Sequence, residues 1–369
     1  MTRLLIIADD LTGALDSAVA FANRGLATVV ARSAQTLADA FQRQADVVAV
    51  STGSRELTAT DAGSRVLQVM SIAKDFGINR PRLIFKKVDS RLKGNVAVEV
   101  DALAHRLAVS RVVICPAIPE QGRSVANGVL QGRGVSSPIA VASALLPSPS
   151  YAIGTPNADD TASLDRIINN LQAEDLLVGA AGAAASLAAK LAPKGGRSNP
   201  IQLALPALFV IGSRDPITLE QVHHLRELKH VQWVPAPNGS PIHEIKKTEA
   251  VTVLQMTSGE TSVAGNEAAS AFASAATRLL AHGQKSLLCC GGETADAVLT
   301  AIGVGTIQLL GQVADGVPAG LVSCGNEDFI LATKSGGFGS AHCLREIAEH
   351  VDKKTFNSLD LSPVKPPAY

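Results

Sequence analysis

Polar and charged side chains follow four short apolar segments in the first third of the sequence. The first of these segments, residues 4–8, passes directly into Asp9 and Asp10. Carboxylates at such a position can bind a hydroxyl group or accept its proton, while arginines and lysines can bind an anionic group. The other polar ends are residues 51–55, 86–95, 116–117 and 121–123.

The second half of the chain has a different recurring feature, which is glycine at the point where an apolar segment passes into a helix. Residues 211–216, 290–294 and 334–340 all carry it. Glycine lets backbone N–H groups approach a phosphate closely, and the start of a helix adds favourable partial charge. Three such junctions, one of them with Lys334, favour binding of a polyphosphate such as a nucleotide.

Short apolar strands alternate with helices through roughly the first 120 residues, as is typical of a parallel sheet that is covered on both faces. In an open sheet of this type, ligands bind beyond the carboxyl ends of the strands. We therefore expect the four polar ends to share one edge of the sheet. The predicted strands are residues 4–8, 27–31, 47–51, 83–85 and 112–115.

Residues 136–156, with several prolines and serines, predict an irregular loop, and residues 193–200 predict a linker. The alternation of strands and helices restarts after the linker. We therefore predict two α/β domains, residues 1–200 and 201–369, each a mainly parallel sheet flanked by helices. The strands predicted for the second domain are residues 207–211, 251–256, 286–290, 321–323 and 329–333.

Composition excludes several classes of function. The 369 residues contain 33 lysines and arginines against 33 aspartates and glutamates, so no net positive charge favours a nucleic acid or an anionic membrane. Aromatic residues are only 3%, too few for a stacking platform. No apolar stretch is long enough for a membrane-spanning helix, and the five cysteines show no disulfide pattern. We expect a soluble cytoplasmic protein.

A polar, charged site in one domain and a polyphosphate site in the other are typical of a small-molecule kinase with its active site in the cleft between the domains. The motifs resemble those of the four-carbon acid sugar kinase family over nearly the whole chain. The resemblance implies ATP-dependent phosphorylation of the terminal (C4) hydroxyl of a tetronate such as D-threonate or D-erythronate. The motifs are residues 9–14, 87–95, 212–213, 291–295 and 334–339.

The resemblance also implies roles for individual residues. The N-terminal domain would hold the acid sugar and the C-terminal domain ATP, with Mg²⁺ as cofactor and with no metal ligand assigned. Asp9 or Asp10 would be the catalytic base, and Lys87, Arg55 or Arg91 would bind the substrate carboxylate. The acid-sugar site would comprise Asp9, Arg55, Lys87, Asp89, Ser90, Arg91, Asn95 and Arg123. The nucleotide site would comprise Ser213, Gly291, Gly292, Glu293, Thr294, Lys334, Gly336 and Gly337.

Two residues depart from the family pattern: Arg91 stands where a threonine is usual, and Lys93 where an arginine is usual. Arginine and lysine bind carboxylates differently, so the departure predicts an altered acid-sugar preference. An oxo-tetronate kinase of the same family is therefore one alternative. A non-catalytic protein, which binds an acid sugar or has a regulatory role, is another. A dehydrogenase is disfavoured because no dinucleotide fingerprint follows the first strand. The oligomeric state stays open, with a homodimer among the alternatives.

Overall fold

The computed structural model describes residues 2–80, 83–147, 149–196, 199–242, 250–325 and 327–351. The chain divides into two compact units, Met1–Ser198 and Asn199–Tyr369, here called unit 1 and unit 2. Arg197 and Ser198, part of the predicted linker, lie outside the described residues. In the described part of the chain, no helix is long and apolar enough to cross a membrane.

Unit 1 contains an all-parallel sheet in the order β2-β3-β1-β4-β10-β5-β9, and a small antiparallel sheet, β6-β7-β8. The strands described are β1 (Leu4–Ala8), β2 (Thr28–Ala31), β3 (Val47–Ser51), β4 (Ile84–Lys87), β5 (Arg111–Cys115), β6 (Arg123–Ala126), β7 (Val129–Gly132), β8 (Ile139–Ala140), β9 (Ala152–Gly154) and β10 (Asp175–Gly179). The helices described are α1 (Leu11–Ala22), α2 (Leu37–Gln42), α3 (Ala59–Asp75), α4 (Val96–Leu107), α5 (Thr161–Asn169) and α6 (Ala181–Leu191).

The central strands of unit 1 are buried along their whole length, as their unbroken apolar sequences require. Every residue of β1, β3 and β4 is buried, including both lysines of β4. A strand that is covered on both faces has no solvent side on which to place polar residues, so its sequence does not alternate. The prediction of a parallel sheet flanked by helices is therefore confirmed for this unit.

Two details of unit 1 differ from the prediction. The segment 136–156 is not wholly irregular, because it contains β8 and the edge strand β9, which pairs with β5. These strands have only two and three residues, and pairing with β7 and with β5 defines them rather than their composition. In addition, β10 inserts between β4 and β5, so the ends of these two strands are not neighbours.

Unit 2 contains a mixed sheet in the order β12-β13-β11-β14-β17-β16-β15, in which the strands from β12 to β17 are parallel and β16 is antiparallel to both β17 and β15. Its described strands are β11 (Ala207–Ile211), β12 (Val231–Pro237), β13 (Val251–Thr257), β14 (Ser286–Cys290), β15 (Thr306–Ala314), β16 (Val317–Cys324) and β17 (Glu327–Lys334). Its described helices are α7 (Pro216–Leu225), α8 (Gly265–Leu280), α9 (Gly292–Ala301) and α10 (Cys343–Glu349).

The sequence analysis missed β12 and β15. Pro235 and Pro237 lie within β12, and proline within an apolar segment argues against a central strand. The structure resolves the conflict because β12 is an edge strand, with β13 as its partner. In β15, buried residues alternate with partly exposed ones, unlike the fully buried strands that the sequence analysis found.

The two units share one strand order around their first strand. The order β2-β3-β1-β4 in unit 1 recurs as β12-β13-β11-β14 in unit 2. In both units the chain first builds the sheet on one side of the first strand and then crosses to the other side. Ligands bind at such a switch point, beyond the carboxyl ends of the strands. The topology therefore selects the ends of β1, β3 and β4, and of β11, β13 and β14, as candidate ligand sites.

Candidate active site

Two aspartates share one arginine at the carboxyl end of β1. Arg55, from the segment after β3, donates from Nε to Asp9 Oδ2 over 2.8 Å and from Nη2 to Asp9 Oδ1 over 3.1 Å. The Nη1 atom of Arg55 lies 2.7 Å from Asp10 Oδ2. Asp10 Oδ1 accepts the backbone N–H of Gly13 at 2.6 Å and so caps α1. The structure thus brings together Asp9, Asp10 and Arg55.

The two carboxylates differ in exposure and in proton affinity. The side chain of Asp9 is 4% exposed and that of Asp10 is 29% exposed. Burial alone would raise the pKa of Asp9, but hydrogen bonds from Arg55 and the charges of Lys86, Arg55 and Lys87 together lower it. For Asp10, burial and the charge of Asp9 raise the pKa despite the opposing charge of Arg55. Asp9 is thus the more firmly ionised group and Asp10 the better proton acceptor.

Two further charged groups face this pair, one from β4 and one from α1. Lys87 is buried, and a Cβ atom on Gly13 would lie 3.3 Å from its Nζ atom. Asp16 interacts electrostatically with Lys87, Asp10 and Arg123, and burial is the main cause that raises its pKa. The sequence analysis missed Asp16. Its spacing of three residues from Gly13 places it on the same face of α1, a signal that could have identified it.

The segment between β4 and α4 brings the predicted residues Asp89, Ser90 and Arg91 together with Arg123. Asp89 Oδ1 accepts the backbone N–H of Arg91 at 2.8 Å. The Nη1 atom of Arg123 donates to Ser90 Oγ. Gly94, with φ of 85°, lies in the left-handed region that favours glycine and lets this segment turn back towards the sheet. Hence Ser90 and Arg123 present one hydroxyl and one guanidinium beside each other.

Arg123, which contacts Ser90, lies close to two further arginines, Arg91 and Arg133. Burial and the like charges of Arg91 and Arg133 lower the pKa of Arg123, against the opposing charges of Asp89 and Asp16. Among the residues that the structure describes, no Asp or Glu forms an ion pair with Arg91, Arg123 or Arg133. Repulsion between like charges is relieved when an anion binds among them. This arginine cluster, defined as Arg91, Arg123 and Arg133, is therefore a candidate carboxylate site.

The side chain of Asn95, which the sequence analysis predicted to bind the acid sugar, forms hydrogen bonds with the protein backbone in this structure. Its Nδ2 atom donates to Ser54 O and to Leu57 O, in both cases over 2.9 Å. These bonds fix the segment after β3, from which Arg55 projects. Asn95 therefore supports the site through Arg55 in this structure.

The glycine junctions of unit 2 lie side by side, because β11, β14 and β17 are neighbours in the sheet. A Cβ atom on Gly212 would overlap Thr294 Oγ1, and one on Gly336 would overlap Ser213 Oγ. Only glycine permits this approach, so the segments after these three strands form one continuous surface. The predicted residues Ser213, Thr294 and Gly336 thus lie together.

Lys334 is buried, and its ammonium group is bound by its own loop. The Nζ atom donates to Ser335 O over 2.9 Å and to Gly336 O over 3.3 Å. Thr218 Oγ1 donates to the same Gly336 carbonyl over 2.6 Å. The backbone oxygen of Lys334 accepts the N–H of Gly291 at 2.8 Å. Lys334 therefore shapes the loop that carries Gly336.

Two groups beside these junctions can meet a phosphate or its counter-ion. The residue at the N-cap of α9 is Gly291, which has no side chain that could accept a hydrogen bond. No N-cap side chain therefore binds the first N–H groups of this helix, from Gly292 to Thr294. Asp215 Oδ1 accepts the N–H of Ile217 at 2.9 Å, and its Oδ2 atom would lie 3.0 Å from a Cβ on Gly337. The sequence analysis missed Asp215, which a capping aspartate before the Pro216 helix start could have indicated.

A cavity of about 500 Å³ adjoins these junctions within unit 2. This volume lies in the range of small-molecule sites. Apolar lining residues come from α8 and α9, and polar lining residues come from the segment after β13. The sequence analysis did not predict that this segment contributes to a site. Glu293 and Thr294 lie at the edge of the cavity together with Gly212 and Arg214. Other lining residues are Asn238, Ser258, Glu260, Thr261, Phe272 and Val298.

The fold and the two residue clusters define an α/β protein with a candidate small-anion site in unit 1 and a cavity of nucleotide size in unit 2. Comparison with known proteins supports this class. Residues 4–140 match the family model described as a sugar-binding N-terminal domain, and residues 240–344 match the one described as a nucleotide-binding C-terminal domain. A crystal structure of a Haemophilus influenzae protein superposes with a TM-score of 0.72 at 23% identity, covering 94% of this chain and 99% of that one.

Two curated relatives are similar over nearly their full length. A D-threonate kinase of Bordetella bronchiseptica is 32% identical, with 95% of this chain and 98% of the relative covered. A 3-oxo-tetronate kinase of Haemophilus influenzae is 25% identical, with 90% and 96% covered. The chain belongs to the four-carbon acid sugar kinase family. The predicted family, fold class and phosphotransferase class are confirmed.

Proposed function

We propose that this protein transfers the γ-phosphoryl group of ATP to the C4 hydroxyl of a four-carbon acid sugar, with D-threonate as the first candidate and D-erythronate as the second. The observation that carries the proposal is the Asp9–Arg55–Asp10 cluster, beside an arginine cluster, in the unit that matches a sugar-binding domain. A carboxylate pair can accept the hydroxyl proton, and unpaired arginines suit the acid.

The substrate carboxylate binds Arg123 and Ser90 in this proposal. Arg55 is the weaker candidate because it is bound to both Asp9 and Asp10 and would have to release one of them. Within the described residues, the hydrogen-bond acceptors of Arg123 are all neutral: Ser90, Gln121 and the carbonyl of residue 133. A carboxylate can replace them with charge-assisted bonds, which are stronger. Arg91 adds positive charge to the same place.

Asp10 is the catalytic base in this proposal. Its oxygens are more exposed than those of Asp9, and its pKa is raised, so it holds a proton better. Asp9 fixes Arg55, which in turn fixes the Asp10 carboxylate. Lys87 lies close enough to interact with both aspartates and can stabilise the charge that develops as the hydroxyl loses its proton.

The nucleotide occupies the cavity of unit 2, with its phosphates at the glycine junctions and the start of α9. Ser213, Gly336 and the N–H groups of Gly292–Thr294 are the groups that meet the phosphates. Mg²⁺ usually binds one or two carboxylates together with substrate phosphates. The Oδ2 atom of Asp215, which faces Gly337, fits this requirement, so Asp215 is the residue that would hold Mg²⁺. Bound there, Mg²⁺ would neutralise phosphate charge during transfer.

The relatives favour a D-threonate substrate over a 3-oxo-tetronate, since the D-threonate kinase has the higher identity of the two compared. A 3-oxo-tetronate is the third candidate substrate, because Arg91 and Lys93 depart from the usual motif. A non-catalytic sugar-binding role is the weaker alternative, because both aspartates and the glycine junctions are retained.

The experiment is ADP release by the purified protein with ATP and Mg²⁺, for D- and L-threonate, D- and L-erythronate and their 3-oxo forms. The Asp10→Asn variant is the negative control. We expect turnover with D-threonate, and a loss of about 10²- to 10⁴-fold in the variant. ATP binding by calorimetry without turnover on any acid sugar would refute the proposed substrate class. The absence of ATP binding would refute the kinase proposal itself.

A further inference from the structure

A fully buried ion pair lies beneath the candidate acid-sugar site and takes no direct part in the proposed reaction. Lys86 Nζ lies 2.9 Å from Glu99 Oε2, and the two side chains are 0% and 1% exposed. Successive side chains of a strand point to opposite faces of the sheet. Lys87 therefore faces α1 and the two aspartates, whereas Lys86 faces α4, where Glu99 lies.

The ion pair joins the three strands that carry the site. Besides Glu99, Lys86 Nζ donates to Ile7 O of β1 over 3.4 Å and to Lys87 O of β4 over 2.9 Å. Glu99 Oε1 accepts a hydrogen bond from Ser54 Oγ, next to Arg55. The ends of β1 and β4 and the segment after β3 are thus tied to α4 through two side chains.

The hydroxyl of Thr52 extends this network to the residue before Asp9. Thr52 Oγ1 lies 2.6 Å from Ser54 Oγ and 2.9 Å from Ala8 O, and Ser54 N donates to Asp9 O over 2.9 Å. Every group in this network is buried. A small displacement of Lys86 or Glu99 would therefore be transmitted to the backbone that positions Asp9.

Stability alone is a poor explanation for such a pair. Removing two charges from water costs about as much as their attraction returns, and apolar replacements of similar volume are often neutral or stabilising. The charged groups that act on Asp9 are Arg55, Lys86, Lys87 and Asp10. Of these, Lys86 alone lies on the α4 side and has its own partner, so its charge stays in place when substrate binds.

We propose that Lys86 and Glu99 are a positioning pair, which holds the ends of β1, β3 and β4 in register and keeps a fixed positive charge beneath Asp9. The proposal rests on the proposed function, because it assigns the pair a task in the acid-sugar site. Neither residue touches the substrate. The role of the pair is to keep Asp9 ionised, so that Arg55 stays bound to it and Asp10 stays oriented.

The test compares Lys86→Met/Glu99→Leu, which removes both charges at similar volume, with the wild-type protein. The control is Arg111→Met/Asp175→Leu, which removes another ion pair of the same sheet, at 2.5 Å, from the opposite ends of β5 and β10. The first readout is the pH dependence of kcat/KM for D-threonate. The second, independent of turnover, is the titration of aspartate carboxyl carbons by NMR, with Asp9 assigned through Asp9→Asn.

For the Lys86/Glu99 double variant we expect the acid limb of kcat/KM to move to higher pH and the Asp9 signal to titrate at higher pH. At about pH 4.5, near the ordinary pKa of an aspartate, kcat/KM of the double variant should fall by roughly twofold to threefold more, relative to pH 8, than kcat/KM of the wild type. In the control, Arg111→Met/Asp175→Leu, the acid limb of kcat/KM should stay at the wild-type pH. An unchanged Asp9 titration in a folded double variant would overturn the proposal. If the wild type shows no turnover, the proposed function fails, and the NMR titration still decides the positioning role.

Discussion

Removing the guanidinium of Arg123 should weaken binding of an acid far more than binding of the matching polyol. Arg123 donates to Ser90 Oγ and Gln121 Oε1 through its two terminal nitrogens and has no carboxylate partner among the described residues. D-threonate and D-threitol differ only at C1, where one has a carboxylate and the other a hydroxymethyl group. The effect of Arg123→Ala on each compound therefore isolates the interaction with the carboxylate.

The expected magnitude follows from two hydrogen bonds between a guanidinium and a carboxylate. Each such bond contributes about 1.5–3 kcal/mol. Arg123 is partly exposed, so solvent screening places the pair near the lower end, at about 3 kcal/mol in total. Since about 1.4 kcal/mol is a factor of ten, kcat/KM for D-threonate should fall roughly 100-fold. For D-threitol, which has no carboxylate to bind Arg123, the change should stay within about threefold.

The assay is ADP release with each compound, for wild type, Arg123→Ala, Arg123→Lys and the control Arg106→Ala. Arg106 is an exposed arginine in the last turn of α4, and its removal should affect neither compound. Arg123→Lys keeps the charge but loses the two-pronged geometry, so it should give an intermediate loss. Equal losses for D-threonate and D-threitol in a folded Arg123→Ala protein would refute the assignment of Arg123 to the carboxylate.

Three further predictions follow from the contacts described. Asp10→Asn should lower kcat for D-threonate by about 10²- to 10⁴-fold. Asp9→Asn should raise KM as well, because Arg55 loses its ion pair with Asp9 and keeps only the one with Asp10. Steady-state kinetics that gave the reverse pattern would exchange the two roles. Gly336→Ala should weaken ADP binding at least about tenfold, because the added methyl group would displace Ser213 Oγ, while acid-sugar binding should not change. Calorimetry with ADP and with D-threonate measures both affinities, and an unchanged ADP affinity would exclude Gly336 from the nucleotide site. The hydrogen bond from Arg111 lowers the pKa of Asp175, so this group stabilises the fold above its unfolded pKa near 3.9, and the stabilisation is lost as pH falls through the lower folded pKa. The free energy of unfolding, measured in urea at several pH values, should therefore fall less with decreasing pH in Asp175→Asn than in the wild type. An equal fall in both proteins would contradict the assignment.

The sequence predicted what depends on local pattern. The strands β1, β3, β11 and β14 have the predicted bounds, because each is a fully buried, mainly apolar segment that is followed by a polar or glycine residue. Asp9 and Asp10 could be identified because they follow such a strand directly. The glycine junctions were identifiable for the same reason.

Other features depend on distances that the sequence does not contain. The insertion of β10 between β4 and β5 follows from pairing between segments more than 60 residues apart. Arg55 was predicted to bind the substrate carboxylate, but only the three-dimensional structure shows that both aspartates already bind it. Lys86 was passed over in favour of its neighbour Lys87, since the sequence does not show which of two adjacent strand residues faces the ligand.

The adjacent residues Lys86 and Lys87 have different roles: Lys87 faces the candidate site, whereas Lys86 holds the strand from the opposite face of the sheet. The same strand order around β1 and around β11 gives each unit one ligand position, set by topology and not by side chains. At that position, unit 1 places carboxylates and arginines, whereas unit 2 places glycines and uncapped N–H groups. Because a strand turns successive residues to opposite faces, β4 can present Lys87 to the site while Lys86 secures the strand end from the other side. A buried parallel strand can therefore present a charged residue to a ligand while its neighbour, bound in an ion pair on the opposite face, fixes the strand end in place.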